Sequence, residues 1–266
     1  MDELDKLAEA VLKSPKYRNV CEDVVRNIGS RELATRRNLK EAVKATKNKL
    51  HQVGGAYSDG RMAYARWLYE LREAADSGDR AVFRRACREA MKHHSSTRER
   101  LGILEQFYAV TLAGLPAIRT VLDIACGLNP LAIPWMPLDR GVQYYAYDMY
   151  VDMVGFLKDF MRIASVQGQA ETRDVAHFPP ERRADLAFVL KSLPCIERLD
   201  KSASIRLLEA INAEHILISF PVRSLGGRDK KMAENYEGRF WELVAGKRWS
   251  TRRFDFGTEL AFLISK

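Results

Sequence analysis

A chain of 266 residues that is 47% hydrophobic can bury a full core in one or two domains, and nothing in its composition marks it as disordered. No apolar run approaches the ~20 residues that cross a bilayer, and the opening MDELDKLAEAVLK has acids where a secretory signal has bases, so the chain reads as cytoplasmic with no membrane partner. The four cysteines, Cys21, Cys87, Cys126 and Cys195, are spaced too widely for a C-x-x-C knuckle; they read as reduced, buried thiols, and no metal site is expected.

The net charge of +8 is unevenly placed. Residues 1–100 hold 22 Lys and Arg against 15 Asp and Glu, whereas 101–266 hold 21 against 20. Such asymmetry suits a polyanionic partner met by the front of the chain, and it would equally arise from a solvated basic surface. The front reads as helices. LDKLAEAVLK places Leu4, Leu7, Ala8, Val11 and Leu12 at helical spacing, and Tyr17, Val20, Val24, Val25 and Ile28 continue that period as a second helix until Gly29. NLKEAVKATKNKLHQV sets Leu39, Val43, Leu50 and Val53 on one side and Lys40, Lys44, Lys47 and Lys49 around the other, before GGAY breaks it. Helical stretches near 61–76 and 79–92 lead to HHSSTRERL, where Ser96 with Glu99 makes a capping box.

After Pro116 strands and helices alternate. RTVLDIA, VQYYAYD, ADLAFVLK and HILISF read as strands with helices near 150–166 and 200–212 between them, and WSTRRFDF and TELAFLIS close the chain around Gly257. This pattern predicts an α/β fold: a mostly parallel sheet covered on both faces, with an antiparallel hairpin at one edge. Ligands of such sheets bind at the carboxyl ends of strands where the strand order reverses. Asp123 and Gly127 end the first strand, Asp148 ends the second, Asp174 in TRDVA follows a third strand region lying between VQYYAYD and ADLAFVLK, and LKSLP ends the fourth.

In TVLDIACGLNP, Thr120 to Pro130, the only glycine is Gly127, whereas a pyrophosphate cradle needs the glycines of G-x-G-x-x-G. A ligand held here carries no pyrophosphate. Asp148 lies 21 residues after Gly127, where a carboxylate can accept from a ribose diol. An adenosine held without phosphates fits, as in S-adenosylmethionine, although a strand ending in D-x-x-C-G also occurs for packing reasons.

Five motifs then stand in order: KLHQVGGAY, HHSSTRERL, LDIACGLNPLAIPWM, VLKSLPCIE and ISFPVRSLGGRDKKMAENY. Together they resemble the aminoglycoside-resistance methyltransferases that modify 16S ribosomal RNA at guanine N7, over nearly the whole chain. The resemblance implies a class I S-adenosylmethionine-dependent methyltransferase fold, Rossmann-like with a seven-stranded sheet over residues 106–266, behind a helical domain at 1–105 that docks on the 30S subunit. It implies a cofactor set of His94, Arg100, Asp123, Ala125, Gly127, Asp148, Asp174, Val175 and Leu190. Arg100 would pair with the methionine carboxylate, Asp148 would hold the ribose, and Asp174 would accept from the adenine amino group. Lys191, Leu193 and Pro194 would wall off the target base. Arg223, Arg228, Lys230 and Lys231, placed in a loop after the fifth strand, would hold phosphates or the displaced base, and Lys40, Lys44, Lys47 and Lys49 would contact RNA. Thr258 and Phe262 depart from the family's usual Asn and Tyr.

Guanine N7 has an exposed lone pair and no proton to lose, so no general base is expected, and the five histidines read mostly as capping or surface residues. The chain is expected to act as a monomer. Other readings are a methyltransferase acting on another RNA site; a methyltransferase acting on a protein or a small molecule, which the basic front disfavours; a nicotinamide oxidoreductase, which the missing glycines disfavour; and a non-catalytic RNA-binding protein, which would not bind the cofactor.

Overall fold

The computed structural model describes residues 2–54, 62–222 and 230–266, apart from the side chains of residues 230 and 231. Arg223 and Arg228 lie outside the described residues.

The front of the chain is helical. In α1 (Glu3–Leu12), Asp2 caps the first turn: its Oδ1 accepts the Asp5 N–H at 2.7 Å, while Asp5 Oδ2 accepts the Asp2 N–H at 3.1 Å. The apolar stripe of α1 packs on α2 (Glu22–Thr35) and α3 (Leu39–Gly54) around Leu7, Val11, Val24, Val25, Ala42 and Leu50. Gly29 does not stop α2, contrary to expectation. It lies inside the helix, facing α1, where a Cβ would stand 2.4 Å from the terminal Cδ2 of Leu7, so the missing side chain leaves room for that methyl. Val20 precedes the helix and instead forms an isolated antiparallel bridge to Tyr150.

Next come α4 (Tyr64–Asp76) and α5 (Arg80–Met91), the latter capped by Asp79, then the short α6 (Ser95–Arg100) and α7 (Leu104–Thr111). The expected Ser96–Glu99 capping box is absent. The N-cap is His94, Ser96 lies within the first turn, and the Glu99 carboxylate binds Lys191 instead.

Seven strands form one sheet among the described residues: β1 (Thr120–Ile124), β2 (Gln143–Asp148), β3 (Gln167–Thr172), β4 (Ala184–Leu190), β5 (Ala213–Pro221), β6 (Ser250–Asp255) and β7 (Glu259–Ser265), in the order β3-β2-β1-β4-β5-β7-β6. β1 to β5 are parallel, and β7 runs antiparallel to both β5 and β6. Because strand side chains alternate between faces, β4 sends Leu186, Phe188 and Leu190 into one core and Ala187 and Val189 into the other. The first core is covered by α4, α5, α7 and α8 (Val151–Ile163). The second is covered by α9 (Leu193–Leu199), α10 (Ala203–Ala210) and α11 (Lys230–Val244). Burying each such leucine or phenylalanine contributes roughly 1.5–3 kcal/mol. Phe262, one of the departures from the family pattern, stacks on Phe240 with ring centroids 3.8 Å apart.

One expectation shifts here: Lys230 and Lys231 begin α11 and do not sit in a loop. The front helices pack in two groups, α1 to α3 around a core of their own and α4, α5 and α7 against the sheet's.

Candidate active site

β1 and β4 are neighbours, but the chain leaves β1 toward β2 and β3 on one side and returns to β4 on the other. Beyond their carboxyl ends lies a cavity of about 770 Å³, partly open to solvent. Eight of the expected residues line it: His94, Ala125, Gly127, Asp148, Asp174, Val175, Leu190 and Lys191.

The loop after β1 turns sharply because Ala125 and Gly127 take left-handed conformations, φ 51° and 53°. The turn brings the Gly127 N–H to Asp148 Oδ2 at 2.9 Å. A Cβ on Gly127 would come within 2.6 Å of His94 Cε1, so glycine is favoured here by its left-handed backbone and leaves room for the imidazole packed against it. Burial raises the Asp148 pKa, partly offset by the amides of Gly127, Tyr150 and Met149. A buried carboxylate in that state gains from further donors such as a diol. Asp174 is also buried, which would raise it, but hydrogen bonds from His177 and Asn27 outweigh burial and hold it below the usual carboxylate range. Desolvation, with the Lys191 and Arg100 cations nearby, lowers the His94 pKa to about 4.

The structure does not bring Arg100 to the cavity. Its side chain is wholly buried, and the carboxylate it grips is internal: Nη2 donates to Glu259 Oε1 at 2.6 Å and Nε to Oε2 at 3.1 Å, while Nη1 donates to Asn129 Oδ1 at 2.9 Å. Asp123 likewise sits behind the wall. Its Oδ2 accepts from the Tyr144 hydroxyl at 2.6 Å and from Asn129 at 2.9 Å, and burial pushes its pKa up to about 7 against those bonds. Lys191, at φ 58°, turns back from the end of β4 and places Nζ 2.8 Å from Glu99 and 3.1 Å from Glu259. Burial would raise Glu259, but the Arg100 and Lys191 cations outweigh it and keep the carboxyl below its usual range. Leu193 is fully buried in the core beneath β4, and Pro194 lies in the first turn of α9; neither lines the cavity. On α3, Lys40 and Lys44 are exposed, Lys47 is half-buried, and Lys49 donates to the Arg198 carbonyl at 3.2 Å. The side chain of Lys231 lies outside those described.

The family model described as ribosomal RNA methyltransferase (FmrO) matches residues 13–263. The chain belongs to this family. Among its relatives, the 16S rRNA (guanine(1405)-N(7))-methyltransferase of Micromonospora echinospora is 34% identical, covering 100% of this chain and 97% of that protein. The enzyme of the same name from Serratia marcescens is 33% identical over 97% of this chain and 96% of its own. Among solved structures, the 16S rRNA methyltransferase RmtF in complex with S-adenosyl-L-homocysteine superposes with a TM-score of 0.82 at 28% identity, covering 100% of this chain and 99% of that one.

The cavity suits the family's methyl donor, S-adenosylmethionine. Asp148 and Asp174 offer acceptors, Val175 and Leu190 offer apolar flanks, and the buried Ser192 hydroxyl on the wall has no hydrogen-bond partner among the described residues. Sequence reasoning missed four kinds of residue here. Val24, Val53 and Gly54 line the cavity from α2 and α3, but a helical apolar stripe reads as core. Glu259 lies 159 residues from Arg100, so no local pattern links them. His177, read as a capping or surface residue, binds Asp174 with Nδ1 at 2.7 Å. Cys126 and Cys195 line the cavity as buried thiols, and none of the four cysteines is in a disulfide, although Cys21 is only half-buried.

Proposed function

We propose that this enzyme, acting as a cytoplasmic monomer, transfers the methyl group of S-adenosylmethionine to N7 of guanine 1405 of 16S ribosomal RNA within the 30S subunit, which protects the ribosome from aminoglycosides. The observation that carries this reading is the cavity at the β1/β4 switch point, with its two carboxylates, in a chain matched from end to end by enzymes of that name. Bound there, S-adenosylmethionine supplies an electrophilic methyl group on a cationic sulfur. The chain's residues bind and orient: Asp148 accepts from the ribose, Asp174 accepts from the adenine amino group, and the Ala125–Gly127 turn brings backbone close to the ligand.

N7 carries a lone pair and no proton, so positioning replaces acid–base work. The deep major groove of an RNA helix excludes protein side chains, so the guanine must leave its stack to be reached. Arg223, Arg228 and Lys231 are proposed to hold the displaced base or its phosphates. Lys40 and Lys44, exposed on α3, support docking on the subunit, with Lys47 beside them. Lys191 is proposed to act through the buried charge cluster next to the cavity. Arg100 and Asp123 are proposed to brace the site from behind.

The test is methyl transfer from labelled S-adenosylmethionine to purified 30S subunits, with the modified base located by reverse transcription. A block at guanine 1405 that depends on enzyme and cofactor is expected. Label at another nucleotide, or none, would refute the assignment.

A further inference from the structure

The cofactor cavity is not walled by the sheet alone. α2 contributes Val24, the last turn of α3 contributes Val53 and Gly54, and these helices are fastened to the segment that follows Asp148. Cys21 N–H donates to the Met149 carbonyl at 2.7 Å, and Val151 N–H to the Asn19 carbonyl at 2.8 Å. A Cβ on Gly54 would lie 2.0 Å from the Tyr150 hydroxyl, so α3 must end in a residue without a side chain for this contact to close.

The same helices reach Asp174. Asn27, one turn beyond Val24, donates from Nδ2 to Asp174 Oδ2 at 2.8 Å. Arg31, one turn further, places Nη2 3.0 Å from His177 Nε2, while His177 Nδ1 lies 2.7 Å from the same Asp174 Oδ2. A guanidinium only donates. Nε2 must therefore accept, which puts the ring proton on Nδ1, aimed at the carboxylate. Arg31 is itself held by the Leu199 carbonyl at 3.4 Å and Asp200 at 3.5 Å. Oδ2 is thus fixed by two donors, one on α2 and one set by α2. Oδ1, which takes the Ala176 N–H at 3.2 Å, keeps acceptor capacity for a ligand.

We propose that Asn27 is a positioning residue of the cofactor site. Together with the Arg31–His177 pair it holds the Asp174 carboxylate in the orientation that receives the adenine amino group, so α2 belongs to the cofactor site as well as to the helical front. This rests on the reading of the cavity as an S-adenosylmethionine site.

The experiment is calorimetric titration of the full-length protein with S-adenosylhomocysteine and with its analogue carrying hydrogen in place of the 6-amino group. The parent is expected to prefer the amino compound. Asn27→Ala should weaken binding of S-adenosylhomocysteine about tenfold, the size of one lost hydrogen bond to a charged group, and leave the analogue within about twofold. Arg31→Met, at an exposed position, should erode the same preference, and it decides the matter if Asn27→Ala does not fold. Equal weakening of both compounds would make Asn27 a structural fastener only, and unchanged preference in the variants would overturn the proposal outright. A parent that binds neither compound would instead bring down the cofactor reading itself, a result distinct from the other two.

Discussion

Replacing Glu259 with Gln would test the buried charge cluster directly. Glu259 is fully enclosed between Arg100, which contacts both of its oxygens, and Lys191 at 3.1 Å. Neutralising it leaves two buried cations with Glu99 as the nearest counter-charge, at 2.8 Å from Lys191 but on a partly exposed side chain. Breaking a buried pair from one side costs about 3–5 kcal/mol, which for a chain of this size is a fall in Tm of roughly 10 °C. Arg100→Met should cost a similar amount. The double variant, with Arg100 and Glu259 both changed to Met, should recover most of the loss, because no uncompensated charge remains and Asn129 Oδ1 keeps the Tyr108 hydroxyl at 2.6 Å. The depressed pKa of Glu259 adds a pH arm. Its contribution is present above its unfolded value and is lost as pH falls through the folded one, so the acid limb of the stability curve should flatten in Glu259→Gln. Thermal and urea unfolding of the parent, Glu259→Gln, Glu259→Met, Arg100→Met and the double variant supply both the charge test and the cycle. A Glu259→Gln protein melting within about 2 °C of the parent would show that the cluster is not desolvated as described.

Three further outcomes are expected. Gly127→Ala forces a Cβ to within 2.6 Å of the His94 ring at φ 53°, so S-adenosylhomocysteine affinity should drop at least about tenfold by calorimetry, and parental affinity would refute the tight turn. The depressed pKa of His94, about 4, means that its neutral form stabilises the fold above the ordinary histidine value of 6.5 and that this is lost as pH falls from there toward 4. His94→Gln should therefore remove part of the stability loss seen between those values, and an unchanged profile would count against a desolvated ring. Neutralising Lys40, Lys44 and Lys47 together should weaken binding to the 30S subunit and lower the salt-dependence slope by roughly one unit or somewhat less per phosphate contact, with cofactor affinity untouched; parental slope and affinity would mean that this face of α3 is only solvated.

The sheet was legible because buried parallel strands are written as short apolar runs, and the four read as such, RTVLDIA, VQYYAYD, ADLAFVLK and HILISF, fell where β1, β2, β4 and β5 lie. What escaped was short or distant. α9 spans seven residues, too few to show a period. α11 follows a glycine-containing stretch that reads as loop. Gly29 signals a helix end by composition, and only the approach of Leu7 gives it another meaning. For the site, residues at strand ends could be found because topology places them, as with Asp148 and Asp174. The partner of Arg100 could not, since β7 reaches β5 by antiparallel addition and no spacing rule announces that Glu259 will face α6.

That antiparallel addition bears on the order in which the molecule assembles. Arg100 comes from α6, Lys191 from the end of β4 and Glu259 from the start of β7, so the carboxylate that pairs with Arg100 and also reaches Lys191 arrives only when the last hairpin zips onto β5. Until then Arg100 has reason to stay hydrated while Lys191 has Glu99 alone, and the interior around the guanidinium cannot dry. Closing so long a loop is an entropic cost met before any contact rewards it. The cavity's back wall is therefore expected to set late and all at once, and its interactions belong among those that govern how slowly the finished enzyme unfolds more than how fast it folds.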